Sequence, residues 1–254
     1  MIRRPPRSTR KESSAASDVY KRQLITLNEF TAIWLTAKLA GITTLVLMVL
    51  ATPLAWWLAH SQHRLKPAIE AITAIPLVMP PTVLGFYLLI LFSPDNALGG
   101  LWVELTGSTL AFSFTGLVIA SLVYSLPFMV QPLTAAFAQI GRQPLETAAT
   151  LGAKPWDAWR STVLPMARSG YLTAAVLTFA HTVGEFGIVL MVGGNLAGET
   201  RVISIVIYES VETLNYGQAH ALSAGLLVFS FSVLLCVYYS NRQLAPSLLP
   251  RSSR

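Results

Sequence analysis

The chain has 254 residues, of which 53% are hydrophobic and only 12% charged, a balance that argues against a soluble globular domain and makes a membrane the expected solvent. The formal charge of +6 would suit a nucleic-acid binder, but residues 1–23 hold seven of the 18 Lys and Arg and two of the 12 Asp and Glu, which leaves 11 basic against 10 acidic residues elsewhere. The body is nearly neutral, no nucleic-acid partner is expected, and the single cysteine, Cys236, excludes an intrachain disulfide.

The first 23 residues, MIRRPPRSTRKESSAASDVYKRQ, contain no apolar h-region and show no helical period, so they are not a secretory signal. They read as non-native, adaptor-derived sequence in translation, or else as a disordered basic arm. One domain is expected over 24–254. Its first clear span is 39–59, led in by 28–38: 21 residues without a formal charge, which as a helix rise about 31 Å, enough for the hydrocarbon core. Four more spans are predicted at 71–93, 105–133, 170–194 and 221–240. Pro76, Pro80, Pro81, Pro127, Gly184 and Gly187 fall inside them and are expected to mark kinks, not breaks. Trp34, Trp56, Trp57 and Trp102 suit interfacial belts.

Orientation follows from the cations of the connections. Arg64, Lys66, Arg142, Lys154, Arg160, Arg168, Arg242, Arg251 and Arg254 lie on one side, and only Lys38 and Arg201 on the other. The positive-inside rule puts the 141–165 connection and the C-terminus in the cytoplasm and the authentic N-terminus outside.

That connection reads GRQPLETAATLGAKPWDAWRSTVLP. Pro144 fits a first helical position, Glu146 a first turn, and Gly152 the left-handed residue that stops a helix. Pro155 should start a second short helix and Pro165 end it. Trp156, Trp159 and Val163 then fall at i, i+3 and i+7, one apolar stripe on a helix–turn–helix knob. Read from the residues alone, such a knob is either a docking element or an amphipathic hairpin on the bilayer surface.

Glu146, Ala148, Gly152, Leu164 and Pro165 reproduce the E-x-A-x(3)-G-x(11)-L-P spacing of the cytoplasmic loop in permeases of binding-protein-dependent ABC importers, and the chain resembles that family. The resemblance implies an all-α membrane protein with the type I ABC importer permease fold. It implies coupling helices, here Glu146, Ala148, Ala149, Gly152, Ala153, Trp156, Trp159, Leu164 and Pro165, seated in a groove of a separate ATPase subunit. No lysine follows a glycine anywhere, so a Walker-type phosphate loop is missing and the chain is not itself expected to be an enzyme. The segment 182–208, TVGEFGIVLMVGGNLAGETRVISIVIY, and the paired prolines of 75–89, IPLVMPPTVLGFYLL, are similar to molybdate permeases and more distantly to sulfate/thiosulfate permeases. Molybdate delivered by a periplasmic binding protein is the implied cargo, with a second copy of the chain and membrane lipid as further partners and no cofactor. Sulfate, thiosulfate or tungstate are the alternatives.

A small dianion can be passed along by Gly, Thr and backbone N–H groups at broken helix ends. Thr182, Gly184 and Gly187 offer these inside a span, and Gly193, Gly194 and Asn195 at its outer end; close helix packing or a turn is the plainer reading of each glycine. Glu185 should face the bundle interior, because a carboxylate in a span costs about 2.5–3.5 kcal/mol unless paired or hydrated. With His181 it falls at i, i+4, spacing that suits two metal ligands but lacks the others a catalytic zinc needs. A membrane metalloenzyme or a passive anion channel are the readings from other classes.

Overall fold

The computed structural model describes the backbone of residues 7–244 and the side chains of residues 29–239; head residues 1–6 and the tail cations Arg251 and Arg254 lie outside the described residues. Among the described residues every regular element is helical. Helix α1 (Arg7–His60) is a single run of 54 residues. It includes 7–23, where the sequence shows no helical period. A helix already nucleated extends into flanking residues without a new nucleation cost, and 7–23 contains neither Gly nor Pro to stop it.

Three helices are long and apolar enough to cross a membrane: Glu29–His60, Phe114–Ile140 and Tyr216–Tyr239. Two bent pairs raise the number to five if each pair is one span. The first pair corrects the expectation that prolines only kink these spans. Helices α2 (Lys66–Val78) and α3 (Pro81–Phe92) meet at 110°. Met79 and Pro80 between them are extended, with ψ of 137° and 134°. Two prolines in succession remove two N–H donors and push the residue before each out of the helical region, so the backbone breaks. Pro76 and Pro127, each alone, stay inside their helices.

The span predicted at 105–133 is also revised. Leu105 and Thr106 close a separate short helix, α4 (Ala97–Thr106), which Gly107 ends at φ +70°. The crossing helix α5 runs Phe114–Ile140, capped by Ser113, whose hydroxyl accepts the Gly116 N–H at 3.0 Å. The connection after it holds α6 (Gln143–Thr150) and α7 (Pro155–Ala158). A π turn, Trp159–Val163, then leads into α8 (Leu164–Met166). Pro165 therefore does not end the second short helix. The Leu164 N–H reaches back five residues to the Trp159 carbonyl, and the wider turn carries the helix past the proline. Helix α9 (Arg168–Gly184) follows at 68°. The predicted span 170–194 is α9, a break at Glu185–Phe186, and α10 (Gly187–Gly193). Helices α11 (Ile203–Glu212) and α12 (Tyr216–Leu244) complete the fold.

Helices α1, α5 and α9 form the centre. Leu47, Leu58, Met129, Leu133, Phe137 and Ala174 are buried between them. Gly170 lets α9 reach α5: a Cβ there would stand 2.3 Å from that of Ala136. Large apolar side chains such as Val49, Tyr87, Leu227 and Tyr238 are exposed, and only 6% of the apolar window of α12 is buried. In water such faces would drive aggregation; in hydrocarbon they are the expected outer surface.

Thr36 on α1 joins two distant elements. Its hydroxyl donates to the Ala32 carbonyl at 2.7 Å and accepts the Ile203 N–H at 2.8 Å, so α1 caps the start of α11. Thr36→Val leaves that buried N–H unpaired and should cost about 1–2 kcal/mol. Thermal unfolding in detergent should show a lowered midpoint for Thr36→Val and a nearly normal one for Thr36→Ser. Equal midpoints for both variants and wild type would remove the cap from the account.

Candidate functional site

Two places gather the residues singled out in the sequence: the 141–165 connection and a cavity where two helix breaks meet. In the connection, Pro144 sits in the first turn of α6 and Glu146 is exposed there. The turn after α6 is a Schellman motif. Gly152 has φ +82°, its N–H donates to the Ala149 carbonyl at 3.0 Å, and the Ala153 N–H donates to that of Ala148 at 3.0 Å. This gives the E-x-A-x(3)-G spacing a physical content. Ala148 and Ala149 supply the terminal carbonyls, and the glycine supplies the left-handed residue that satisfies them. Lys154 is extended, and Pro155 opens α7.

The knob is tied to the bundle at both ends. Arg142 Nη2 donates to the His60 carbonyl at the end of α1 at 2.9 Å. Val163 is fully buried in the central cluster, and Trp159 packs against that cluster. The stripe expected on one outward face is thus divided. Trp156 is 67% exposed and stacks on Trp159 with ring centroids 5.6 Å apart, whereas Val163 points into the bundle. Both tryptophans line an apolar groove with Met48, Thr52 and Trp56 of α1 and Tyr171 of α9. Leu164 is half-buried and Pro165 exposed.

The second place is built from the breaks themselves. The α2/α3 break faces the α9/α10 break, and two glycines permit the approach. A Cβ on Gly187 would stand 2.7 Å from Pro81 Cβ and 3.4 Å from the Thr82 nitrogen, and one on Gly85 would stand 2.9 Å from Met191 Cβ. Between the breaks lies a cavity of about 550 Å³ lined by Pro81, Thr82, Tyr124, His181, Gly184 and Glu185 among others. Glu185 is 5% exposed and extended, with ψ of 136°. Its Oε1 accepts the Ile188 N–H at 3.3 Å, its backbone carbonyl accepts from Ser204 Oγ at 2.6 Å, and its Oε2 is buried without a partner. His181 lies flat on Phe128, centroids 3.8 Å apart, and its Nδ1 is 3.1 Å from Ser125 Oγ.

The predicted pathway residues therefore separate. Gly184, Glu185 and Gly187 line the cavity. Thr182 does not: it is buried between α9 and α5, 3.0 Å from Ser125 Oγ, and donates to the Thr178 carbonyl at 2.9 Å. Gly193, Gly194 and Asn195 sit at the far end of α10. Gly193 packs where a Cβ would stand 2.6 Å from Leu117 Cδ2, and the Asn195 amide donates to Glu209 at 3.4 Å. Pro81, Thr82 and Tyr124 were not singled out as lining residues; the paired prolines were the signal for the first two. His181 and Glu185 share the cavity as their spacing suggested, although Glu185 has left the helix. No three His, Cys, Asp or Glu come together among the described residues. Lys38 sits 4.6 Å over the Phe114 ring, and Arg201 pairs with Glu209, not with its neighbour Glu199.

Residues 51–249 match the family described as the binding-protein-dependent transport system inner membrane component. The molybdenum transport system permease protein ModB of Azotobacter vinelandii is 54% identical over 215 residues, which covers 85% of this chain and 95% of that protein. ModB of Mycobacterium tuberculosis is 36% identical over 82% of this chain and 78% of its own. Among solved structures, a bacterial ABC transporter that imports the acidic polysaccharide alginate superposes with a TM-score of 0.69 at 18% identity, over 87% of this chain and 83% of that one. At that identity the likeness speaks for the fold alone.

The contact between the breaks is open to a direct check. Gly85→Val, whose Cβ would stand 2.9 Å from that of Met191, should lower the unfolding midpoint in detergent, and adding Met191→Ala should restore part of the loss. An unchanged midpoint for Gly85→Val would mean that α3 and α10 do not pack this way.

Proposed function

On the premise that the chain belongs to the family of binding-protein-dependent transport inner-membrane components, we propose that it is the permease subunit of an ATP-driven importer of molybdate. The observation that carries the substrate is the 54% identity, over nearly the whole length, to a molybdenum transport permease. Two copies of the chain form the pathway, a periplasmic binding protein delivers the anion, and two copies of a separate ATPase subunit hydrolyse ATP. The 141–165 connection and the C-terminus are cytoplasmic and the authentic N-terminus is outside, an orientation supported by nine cations against two in the body of the chain.

The coupling element in this reading is α6 with the Gly152 turn. Glu146, Ala149 and Gly152 are exposed and form the face offered to the ATPase. Trp156 borders that face, and Ala148, Ala153, Trp159, Leu164 and Pro165 hold its shape. A push on the knob passes through Arg142 to the end of α1, and through Val163 to the cluster shared by α1, α5 and α9. ATP binding closes the ATPase pair, draws the two knobs together and turns the bundle from inward-open to outward-open. The cavity between the helix breaks lies on the anion's route.

Reconstituted with its ATPase and binding protein in proteoliposomes, the wild type should take up molybdate in an ATP-dependent manner. Uptake of sulfate in its place would give the chain a different cargo within the same family. The coupling role is tested at Gly152, where a Cβ would meet no atom within 4 Å, so only the left-handed backbone opposes a side chain. Gly152→Val should cost about 1–2 kcal/mol locally and redirect α7. Glu146→Lys should reverse charge on the contact face. Both variants are expected to insert normally, lose substrate-stimulated ATPase activity and retain the ATPase poorly on purification; wild-type behaviour in both would reduce the knob to a surface hairpin.

A further inference from the structure

The cavity between the breaks holds three hydrogen-bonding groups with nothing to bond. At the start of the 12-residue helix α3, Pro81 has no N–H and the Thr82 N–H has no partner among the described residues. The Tyr124 hydroxyl also makes no hydrogen bond among them, and Glu185 Oε2 is buried and unpaired. Of the three only Glu185 Oε2 is buried, while Tyr124 is half-buried and Thr82 exposed, so the cavity sets two free donors beside one buried carboxyl oxygen that has no partner. Two of the three, the N–H at a positive helix end and the phenol, call for an acceptor. The third does so as well when the carboxyl is the neutral acid, because its O–H is then a donor. An ionised carboxylate there would repel a dianion across an apolar cavity.

Resting on the reading of the chain as an oxyanion permease, we propose that this cavity is a binding site on the translocation route, in which Glu185 acts as a neutral acid. Its O–H, the Thr82 N–H and the Tyr124 hydroxyl donate to the oxygens of one tetrahedral oxyanion. The other carboxyl oxygen stays on the Ile188 N–H, and Ser204 holds the Glu185 backbone, so the O–H is presented from a fixed frame. Gly187 keeps the α3 N-terminus close enough to share the ligand, since a side chain there would collide with Pro81. The titratable groups that face Glu185 are His181 from α9 and Tyr124 from α5; α3 and α11 contribute Thr82 and Ser204, which do not ionise. His181 is committed at Nδ1 to Ser125 and sandwiched against Phe128 and Tyr124, which fixes its ring.

The test uses the permease–ATPase complex purified without binding protein, with labelled molybdate and sulfate as probes in equilibrium binding. Glu185→Gln keeps a neutral donor of the same shape and should bind within about twofold of wild type. Glu185→Ala should weaken binding about tenfold or more, the scale of one hydrogen bond to an anion, and Tyr124→Phe should weaken it several-fold. Wild-type binding should fall as pH rises, while Glu185→Gln should be flat over the same range. The proposal is overturned by Glu185→Gln binding as poorly as Glu185→Ala in a complex that assembles normally, by undiminished binding in Glu185→Ala, or by a pH dependence that survives in Glu185→Gln and so belongs to His181. The functional reading is judged separately, by ATP-driven uptake in the wild type. If that uptake is of sulfate, the same variant series with sulfate still decides the site; a wild type that binds neither anion sinks the site proposal.

Discussion

Hydrocarbon offers no hydrogen bonds, so a chain that lives in it must satisfy its own backbone. This constraint accounts for the helical architecture and for where the helices stop. Ends that lie in the bundle find partners from elsewhere: the start of α11 takes a hydroxyl from Thr36 of α1, and the start of α10 takes a carboxyl oxygen from Glu185. Ends on the 141–165 connection use local devices, above all the Schellman turn at Gly152. The two breaks at Met79–Pro80 and Glu185–Phe186 leave groups unsatisfied, and the cavity lies between them.

The same constraint explains how a loop is coupled to the bundle. The connection is not appended to the spans but inserted among them, with Val163 buried beside Leu47, Met129 and Phe137. Close packing makes that contact stiff, because a core at near-crystalline density transmits displacement and does not absorb it. The outward face, from Glu146 to Gly152, is left free of such contacts. On the proposed reading, anchorage and docking fall to different residues of one short segment.

Much of this was legible in the sequence because it depends on local chemistry. Apolar length located the crossings at 39–59 and 221–240, and the glycine in G-x(11)-L-P located the turn at 152. The failures at the two helix breaks have one origin. Whether Pro80–Pro81 kinks or breaks a span, and whether Gly184–Glu185 ends a helix, depends on what the freed backbone meets, and that is set by Gly85, Gly187 and Met191 across the gap. A one-dimensional reading sees each proline and glycine but not the partner helix that makes the break tolerable. The tryptophan stripe shows the converse. The period put Trp156, Trp159 and Val163 on one outward stripe, but the π turn at Trp159–Val163 and the packing of Val163 into the central cluster divide it, leaving Trp156 outside.

The π turn at Trp159–Val163 has a mechanical consequence. It holds one residue more than an α-helical turn, one short helix before the 68° bend into α9. Releasing that residue to α geometry would turn α8 by about 100° and advance it by about 1.5 Å, and α9, which leaves α8 at 68°, would be swung about the α8 axis. Arg168, which lines the tryptophan groove, and His181, about three and a half turns further along α9, would be carried with it. A screw thread with one spare step thus lies between the Gly152 turn and the cavity, so a change of pitch at one end can be read as a change of facing at the other.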